Sequence, residues 1–502
     1  MEIKLTKNDI LSICLLMLIF WLGAMRHVNL PGFYMDSVNP DYLAARTLNP
    51  ALNNPAWTLP TSTFPILGNL YHGVQNYYVD LAVFRFMGIS VASVRIAQAV
   101  FGATIVVLLY LLTMFVTRNR VAAFVGAALL ATDIAFLASF RTQFYIILGG
   151  QTWLFASLLA LWIGRRGGFF LSGVCFGLAI YGYFVLGFFA PAMAVLVLGQ
   201  PDRRPIIWIC GFVIGMLPYV AGYASLVDAL GGLNQAADWL RNAIHALAPT
   251  SSKQGVWESI QYMATLAYEA LTNVGNEAMI FNQPVSGIWA PIKVAILVAF
   301  AAIAVIRIPR SRAMLLALLP ISYLIAASFF GHRLWVHHLS VMVALAYLLL
   351  AIVLGELSGG GRRASIAILL CAAVFAAGNM HQANNFHRVL SDTGGTRMTT
   401  DALTRFAEAA RSEPDTLYVF PDWGFFMPFE LLTENRVPFT LDVSQIGTAR
   451  GRASHVVIAF WSETDQQKYR DVLTQAGVQD VSSRIYRRRD GQPAFWVVSG
   501  AF

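Results

Sequence analysis

The sequence predicts a polytopic α-helical membrane protein of about eleven spans that ends in an exterior α/β unit, and three observations predict it. Of its 502 residues, 57% are apolar and only 12% charged, with a mean hydropathy of +0.59, which excludes a soluble enzyme. The apolar residues gather in long runs, and most Lys and Arg fall in the short breaks between them. After about residue 379 the composition changes: Asp, Glu and Arg become frequent, and short β-prone runs alternate with helical patterns. The formal net charge of +8 is therefore a topology signal, and no nucleic-acid partner is expected.

The first run, 10–25, follows Lys4 and Lys7, and no small-x-small cleavage pattern precedes the polar stretch after Arg26. It reads as an uncleaved first span with a cytoplasmic N-terminus. Further runs lie at 94–116, 121–139, 144–163, 169–181, 184–198, 206–224, 288–306, 313–330, 334–354 and 364–378. The stretch 169–198 suits one long tilted helix or two short ones, since a span needs about 20 residues. Counting it twice puts Arg118 and Arg120, Arg165 and Arg166, Arg203 and Arg204, Arg307, Arg310 and Arg312, and Arg362 and Arg363 on the cytoplasmic side together. The break then falls at Tyr181-Gly182-Tyr183, where two tyrosines suit an interface or the mouth of a cavity.

On this frame the chain divides into a membrane domain, 1–378, and an exterior α/β domain, 379–502, with large exterior loops at 26–93 and 225–287. In the tail, strands are expected at 416–420, 455–460, 482–486 and 494–498, and helices at 399–411 and 464–476. Ser358-Gly359-Gly360-Gly361 reads as a linker. Cys14, Cys175, Cys210 and Cys371 each sit inside an apolar run without metal or disulfide spacing, and read as small core residues.

The chemistry is expected outside. In the first exterior loop, Asn39, Pro40 and Asp41 suit the N-cap, first position and first turn of a short amphipathic helix, which gives Asp41 a capping or dipole role beside a secondary catalytic candidacy. Asp36 has no such role. It follows Phe33, Tyr34 and Met35, a stretch too apolar for a free loop, and an ionisable group held at the bilayer surface is costly without a partner or a task. Its alternatives are a surface carboxylate paired with Arg26 or Arg46, and a catalytic acid or base.

Several features together resemble the GT-C glycosyltransferases, within them the protein O-mannosyltransferase and lipid A aminoarabinose transferase branch. These are the aspartate just after the first span, the interfacial helix behind it, Phe64-Pro65-Ile66-Leu67-Gly68-Asn69-Leu70-Tyr71 leading to Ser93-Val94-Arg95, and the short helices around Leu171-Ser172-Gly173 and Tyr181. The resemblance implies a GT-C-like membrane domain in the bacterial inner membrane and a periplasmic active site. It also implies inverting transfer of a sugar from a polyprenyl-phosphate donor to an acceptor hydroxyl on a glycolipid, polysaccharide or protein, with Asp36 as general base. Many members carry Asp-Glu at this point, whereas Ser37 follows Asp36 here, so a second carboxylate is not implied.

Such a transfer needs a base for the attacking hydroxyl and a cation for the departing phosphate. Arg141, in the short loop Arg141-Thr142-Gln143, breaks the cytoplasmic pattern of arginine and is a phosphate candidate. His332, Arg333, His337 and His338 form a second candidate group, open to phosphate contact, to interfacial anchoring, or to a divalent metal ion held by Asp36 with His337 or His338. Lys293 either snorkels to the surface or meets a phosphate. Tyr71, His72, Tyr77 and Tyr78 suit stacking on a sugar ring or anchoring at the interface, and Tyr181 and Tyr183, at the break, are secondary candidates beside them. The aromatics of 225–287, such as Trp239 and Trp257, read as interfacial anchors or as part of a cover over the donor. The competing readings are a lipid-linked sugar flippase and a non-catalytic membrane subunit whose tail recruits a partner. Against the flippase, paired halves and mid-span ionisable groups are not evident.

Overall fold

The computed structural model describes residues 5–35, 39–50, 52, 66–200, 204–247, 255–358 and 362–502. In chain order the helices are α1 (Lys7–Met25), α2 (Asn39–Leu48), α3 (Gln75–Met87), α4 (Val91–Thr117), α5 (Arg120–Thr132), α6 (Ile134–Leu137), α7 (Leu148–Ile163), α8 (Arg165–Gly182), α9 (Ala190–Leu198), α10 (Pro205–Ala229), α11 (Leu233–Leu247) and α12 (Val256–Thr272). They continue as α13 (Val274–Phe281), α14 (Trp289–Arg307), α15 (Leu318–Ser328), α16 (Val341–Leu357), α17 (Arg362–Thr393), α18 (Asp401–Ala410), α19 (Phe426–Thr433) and α20 (Gln466–Gln475). Every apolar run named above falls on helix. Among the described residues, six helices are long and apolar enough to cross a membrane, and seven when the bent pair α5 and α6 counts as one.

Burial sorts these helices. The stretch Val336–Leu357, which contains α16, is 94% buried and apolar on every side, so it forms the centre of the bundle. The apolar windows of α1, α10 and α14 are only 22% buried and turn side chains such as Leu11, Leu22, Ile206, Val220 and Val298 outward, as helices against lipid do. Helices α8 and α10 touch backbone to backbone through Gly173, Gly177, Gly211 and Gly215. A Cβ on Gly173 would lie 2.0 Å from the Trp208 carbonyl oxygen, and one on Gly211 would lie 2.1 Å from that of Phe170.

Polar groups pin the ends and the breaks. Thr6 and Asp9 cap the start of α1 reciprocally, and Asp9 also accepts from Arg120 at 2.7 Å and from the Tyr110 hydroxyl at 2.9 Å, tying α1 to the α4–α5 turn. The expected span 121–139 is broken at Asp133, where α5 and α6 meet at 55°. One carboxylate oxygen of Asp133 caps α6 on Ala135 N at 2.6 Å, and the other takes Lys293 Nζ at 2.9 Å together with the Tyr347 hydroxyl. Asn379 donates to Tyr347 and to the Leu129 carbonyl, so α5, α14, α16 and α17 share one buried network. Lys293 and Asp133 are both fully buried. The expectation that Lys293 snorkels or meets a phosphate is thus corrected: its stem points into the bundle, where a carboxylate at the helix break supplies the countercharge.

The C-terminal residues fold as a mixed sheet of β3 (Thr416–Val419), β4 (Phe439–Thr440), β5 (His455–Phe460), β6 (Gln479–Arg487) and β7 (Pro493–Ala501), in the order β4-β3-β5-β7-β6. The first two strands start a two-stranded hairpin elsewhere, β1 (Leu67–Asn69) with β2 (His72–Gly73). In the mixed sheet β4, β3 and β5 are parallel, and β7 and β6 add antiparallel. The expected strands and both expected helices are found; β4 and α19 had no clear pattern. Two cores flank the sheet. One packs Val456, Ile458, Phe460 and Val498 with Tyr469 and Leu473 of α20. The other joins Phe406, Phe420, Phe429 and Phe495 to Phe33, Met35, Tyr42, Tyr77 and Phe84 of the first exterior segment. The expected boundary at 379 falls inside α17, which runs unbroken to Thr393.

Removing one partner of a buried ion pair strands the other charge. Lys293→Ala is expected to destabilise the bundle by about 3–5 kcal/mol, while the paired change Lys293→Met with Asp133→Asn recovers most of that loss. Thermal inactivation in detergent measures both, and a double variant no more stable than the single one contradicts the account.

Candidate active site

The exterior segments meet the membrane helices where helical geometry tightens. Gln143–Ile147, Phe184–Phe189, Gly331–Arg333 and Val336–Ser340 are all 3₁₀ turns, and three of them converge on one cluster of imidazoles and tyrosines. The His338 ring lies 5.6 Å from that of Tyr183, with Nε2 3.1 Å from the Tyr183 hydroxyl. Trp335 N donates to His338 Nδ1 at 2.8 Å, so the neutral ring carries its proton on Nε2 and donates to Tyr183. His337 stacks on His338 at 4.0 Å and pairs Nδ1 with the Gln143 amide nitrogen at 3.1 Å. On the other side His72 stacks on Tyr183 at 6.0 Å, with Tyr71 edge-on to Tyr183 at 5.8 Å. The sequence candidates Tyr71, His72, Tyr183, His337 and His338 are therefore brought together.

The hairpin β1–β2 delivers two of these residues, and local contacts hold it down. Tyr181 donates to the Ile66 carbonyl at 2.6 Å and accepts from Val74 N, and a Cβ on Gly73 would lie 2.3 Å from the Tyr181 ring. Tyr219 and Tyr223 of α10 both donate to the Leu70 carbonyl. Tyr181 is thus a support for the hairpin beneath the cluster. His72 is 2% exposed, donates from Nδ1 to the Gly73 carbonyl, and has no partner for Nε2 among the described residues. Burial lowers its pKa to about 4, leaving a neutral ring.

His332 and Arg333 lie on the neighbouring turn and face outward. His332 packs on Tyr262 at 4.0 Å, while Arg333 is exposed and makes no ion pair among the described residues. Phe329 and Trp335 beside it are also exposed, so a cation sits within an apolar rim.

Arg141 is placed differently from the expectation. It is 2% exposed and donates to the carbonyls of Ala24, Arg26, Leu30 and Leu137. Its fork is filled, and the phosphate role read from its position is corrected: the end of α1 exposes carbonyls that need donors. Arg95 works beside it, donating to Val28 O and Pro31 O, both at 2.6 Å. The two guanidiniums thereby fix the chain from Ala24 to Pro31, and Phe33 and Met35 continue it as buried residues. Asp36 lies outside the described residues. Asp41 falls in α2, with its side chain outside them.

Among the described residues no three His, Cys, Asp or Glu side chains are grouped to hold a metal ion. His338 fits a metal poorly, because both of its nitrogens are engaged within the protein.

Other buried polar groups escaped the sequence reading. Asn76 and Asp80 share one face of α3 and meet Gln98 of α4 at 3.0 and 3.1 Å; their i, i+4 spacing, and a Gln within an apolar span, were the available signals. Glu277 is fully buried and accepts from Asn273, Val285 N, Ser286 N and the Ser286 hydroxyl; burial raises its pKa against those bonds. Asn276 beside it accepts from Thr142 at 2.7 Å, linking this exterior segment to the Arg141 loop.

The fold has known counterparts. The Archaeoglobus fulgidus oligosaccharyltransferase, solved with a tethered acceptor peptide containing the NVT sequon, is similar with a TM-score of 0.55 at 14% identity, over 94% of this chain and 71% of that one. The arabinofuranosyltransferase AftD from Mycobacteria has a TM-score of 0.44 at 15% identity, over 100% of this chain and 40% of that one. No curated protein matches in sequence. The fold is thus similar to that of a membrane oligosaccharyltransferase, and a family model matches one part of the chain. The matching family model is that of the dolichyl-phosphate-mannose-protein mannosyltransferases, over residues 75–223, from α3 into α10.

The buried His72 makes the hairpin acid-sensitive. The unfolded chain takes up a proton near pH 6.5 that the folded ring refuses until about pH 4, so stability is full above pH 6.5 and falls as pH drops through that window. The loss at pH 5 is about 2 kcal/mol. Comparing wild type with His72→Gln by thermal unfolding at pH 7.5 and pH 5 reads this contribution directly; equal pH sensitivity in the two proteins contradicts it.

Proposed function

We propose that this chain transfers a sugar, with inversion, from a polyprenyl-phosphate donor to a hydroxyl of a glycolipid, polysaccharide or protein at the periplasmic face of a bacterial inner membrane. The observation that carries this reading is the family match over residues 75–223, whose description names a dolichyl-phosphate sugar as donor and a protein as acceptor. On a frame of eleven crossings from a cytoplasmic N-terminus, the imidazole–tyrosine cluster and residues 379–502 lie on the outer side; the apolar runs all fall on helix, and six of those helices, or seven with the bent pair, are long and apolar enough to cross among the described residues.

The chemistry follows from the parts. The acceptor oxygen attacks the anomeric carbon from the face opposite the phosphate, the Asp36 carboxylate takes its proton, and the bond to the phosphate oxygen breaks with its electron pair leaving on the phosphate. Arg333, exposed in its apolar rim, is suited to that phosphate while the lipid tail stays in the bilayer. His332 lies next to it, and the aromatic wall of Tyr71, Tyr183 and His338 offers a surface for the sugar. The fixed segment from Ala24 to Met35 supports the role of Asp36, because a base acts only when its position is constrained. One carboxylate suffices for this single displacement.

Asp36→Asn, folded and in lipid, is expected to lose transfer by roughly 100- to 10,000-fold while retaining donor binding. Turnover with a polyprenyl-phosphate sugar and a hydroxyl acceptor measures it, and undiminished turnover removes Asp36 from the mechanism.

A further inference from the structure

A cavity of about 300 Å³ opens where the start of the first exterior loop and the α3–α4 turn meet α18. Its wall interleaves opposite chemistries. Arg405 and Arg489 present donors, Asp401 and Glu408 present acceptors, and Leu30 and Ile89 supply an apolar patch. Asp401 is 3% exposed and held at the wall by Arg489 at 2.7 Å and Arg405 at 3.5 Å. Thr404, one turn along α18, has a buried hydroxyl with no partner among the described residues.

We infer that this cavity is a saccharide-binding subsite that holds part of a glycan acceptor. A sugar hydroxyl both donates and accepts, so a ring with several of them needs guanidinium and carboxylate groups side by side, and its C–H face needs an apolar patch. A site for a simple anion would be spoiled by the carboxylates of Asp401 and Glu408, and a site for an apolar chain by the five charged side chains Asp401, Arg405, Glu408, Arg411 and Arg489. The volume, at the lower end of small-molecule sites, suits one or two rings. Location connects the cavity to the reaction: Leu30 lines it, and the six residues from Leu30 to Asp36 span at most about 20 Å. A glycan of a few units with its remote ring in the cavity can therefore offer a terminal hydroxyl to Asp36. Arg95 and Arg141 hold the carbonyls of Val28, Leu30 and Pro31, so this side of the cavity is rigid.

This assignment rests on the glycosyl-transfer reading above and narrows its acceptor from three classes to glycan-bearing ones. The test uses the full chain in lipid nanodiscs, with methyl pyranosides, methyl furanosides and inorganic phosphate as probes in saturation-transfer NMR. A glycoside is expected to bind the wild type and to bind Arg405→Ala and Glu408→Gln about tenfold more weakly. In turnover both variants are expected to raise the KM for a glycan acceptor about tenfold with the donor KM unchanged. Absence of glycoside binding, displacement of the glycoside by phosphate, or an unchanged acceptor KM in both variants overturns the assignment. Glycoside binding that both variants weaken, in a chain that transfers nothing from any polyprenyl-phosphate sugar, overturns the transfer reading and leaves the saccharide site standing.

Discussion

Two buried guanidiniums that reach no carboxylate among the described residues hold the outer part of this protein in place. Arg95 and Arg141 are almost fully enclosed, and a charge so placed is tolerated only when its donors are satisfied. They find their partners in 6 backbone carbonyls, five of them in the segment that leaves the first membrane helix. A helix end exposes carbonyls that lack intrahelical partners, and in a bilayer they cannot all turn to water. The demands cancel: the arginines need acceptors, the departing chain needs donors, and the result is a loop whose first ten residues have a single course. The exterior hydrophobic core and the cavity beside α18 are both built against that course.

The same economy appears where the spans end. Backbone that departs from the α-helix at membrane depth survives only when protein buries it or when it lines a recess. Here the 3₁₀ turns at Gln143, Phe184 and Val336 surround one set of rings, so the irregular backbone is gathered on one side of the bundle. At Asp133 the helix breaks deeper, and the cost is met by a side-chain cap and an ion pair. A charged pair of this kind adds little net stability over an apolar one, but it commits the helices of four spans to one register.

How much of this was legible depended on the physical signal. Hydropathy located the apolar helices to within a few residues, and the division of 169–198 at Gly182 is seen as the end of α8 before an extended Tyr183. In the C-terminal residues period-two runs announced β3, β5, β6 and β7, whereas β4, two residues long, is defined by its neighbour alone. Charge partners were not legible. Lys293 and Asp133 are 160 residues apart; Lys293 looked like a helix-end residue, and Asp133, inside an expected span, drew no reading at all. Arg141 looked free because its acceptors are carbonyls, which no residue code reveals. The converging rings of His72, Tyr183 and His338 were named one by one from their places at span ends, but their mutual contact is a product of tertiary packing.

Helix α17 has 32 residues and no break, and at 1.5 Å per residue it is a rod of about 48 Å. A hydrocarbon layer of about 30 Å cannot contain it. Its far half carries Gln382, which donates to the Thr272 carbonyl and to Ser286, and Phe386, which packs on Phe281, before the chain turns into α18. The sheet is therefore mounted on a mast stepped in the membrane and stayed by the second exterior segment. A few degrees of lean at its foot would swing the wall of the α18 cavity by several ångströms, so the tilt that a bilayer's thickness imposes on such a rod is felt, magnified, in the sheet at its far end.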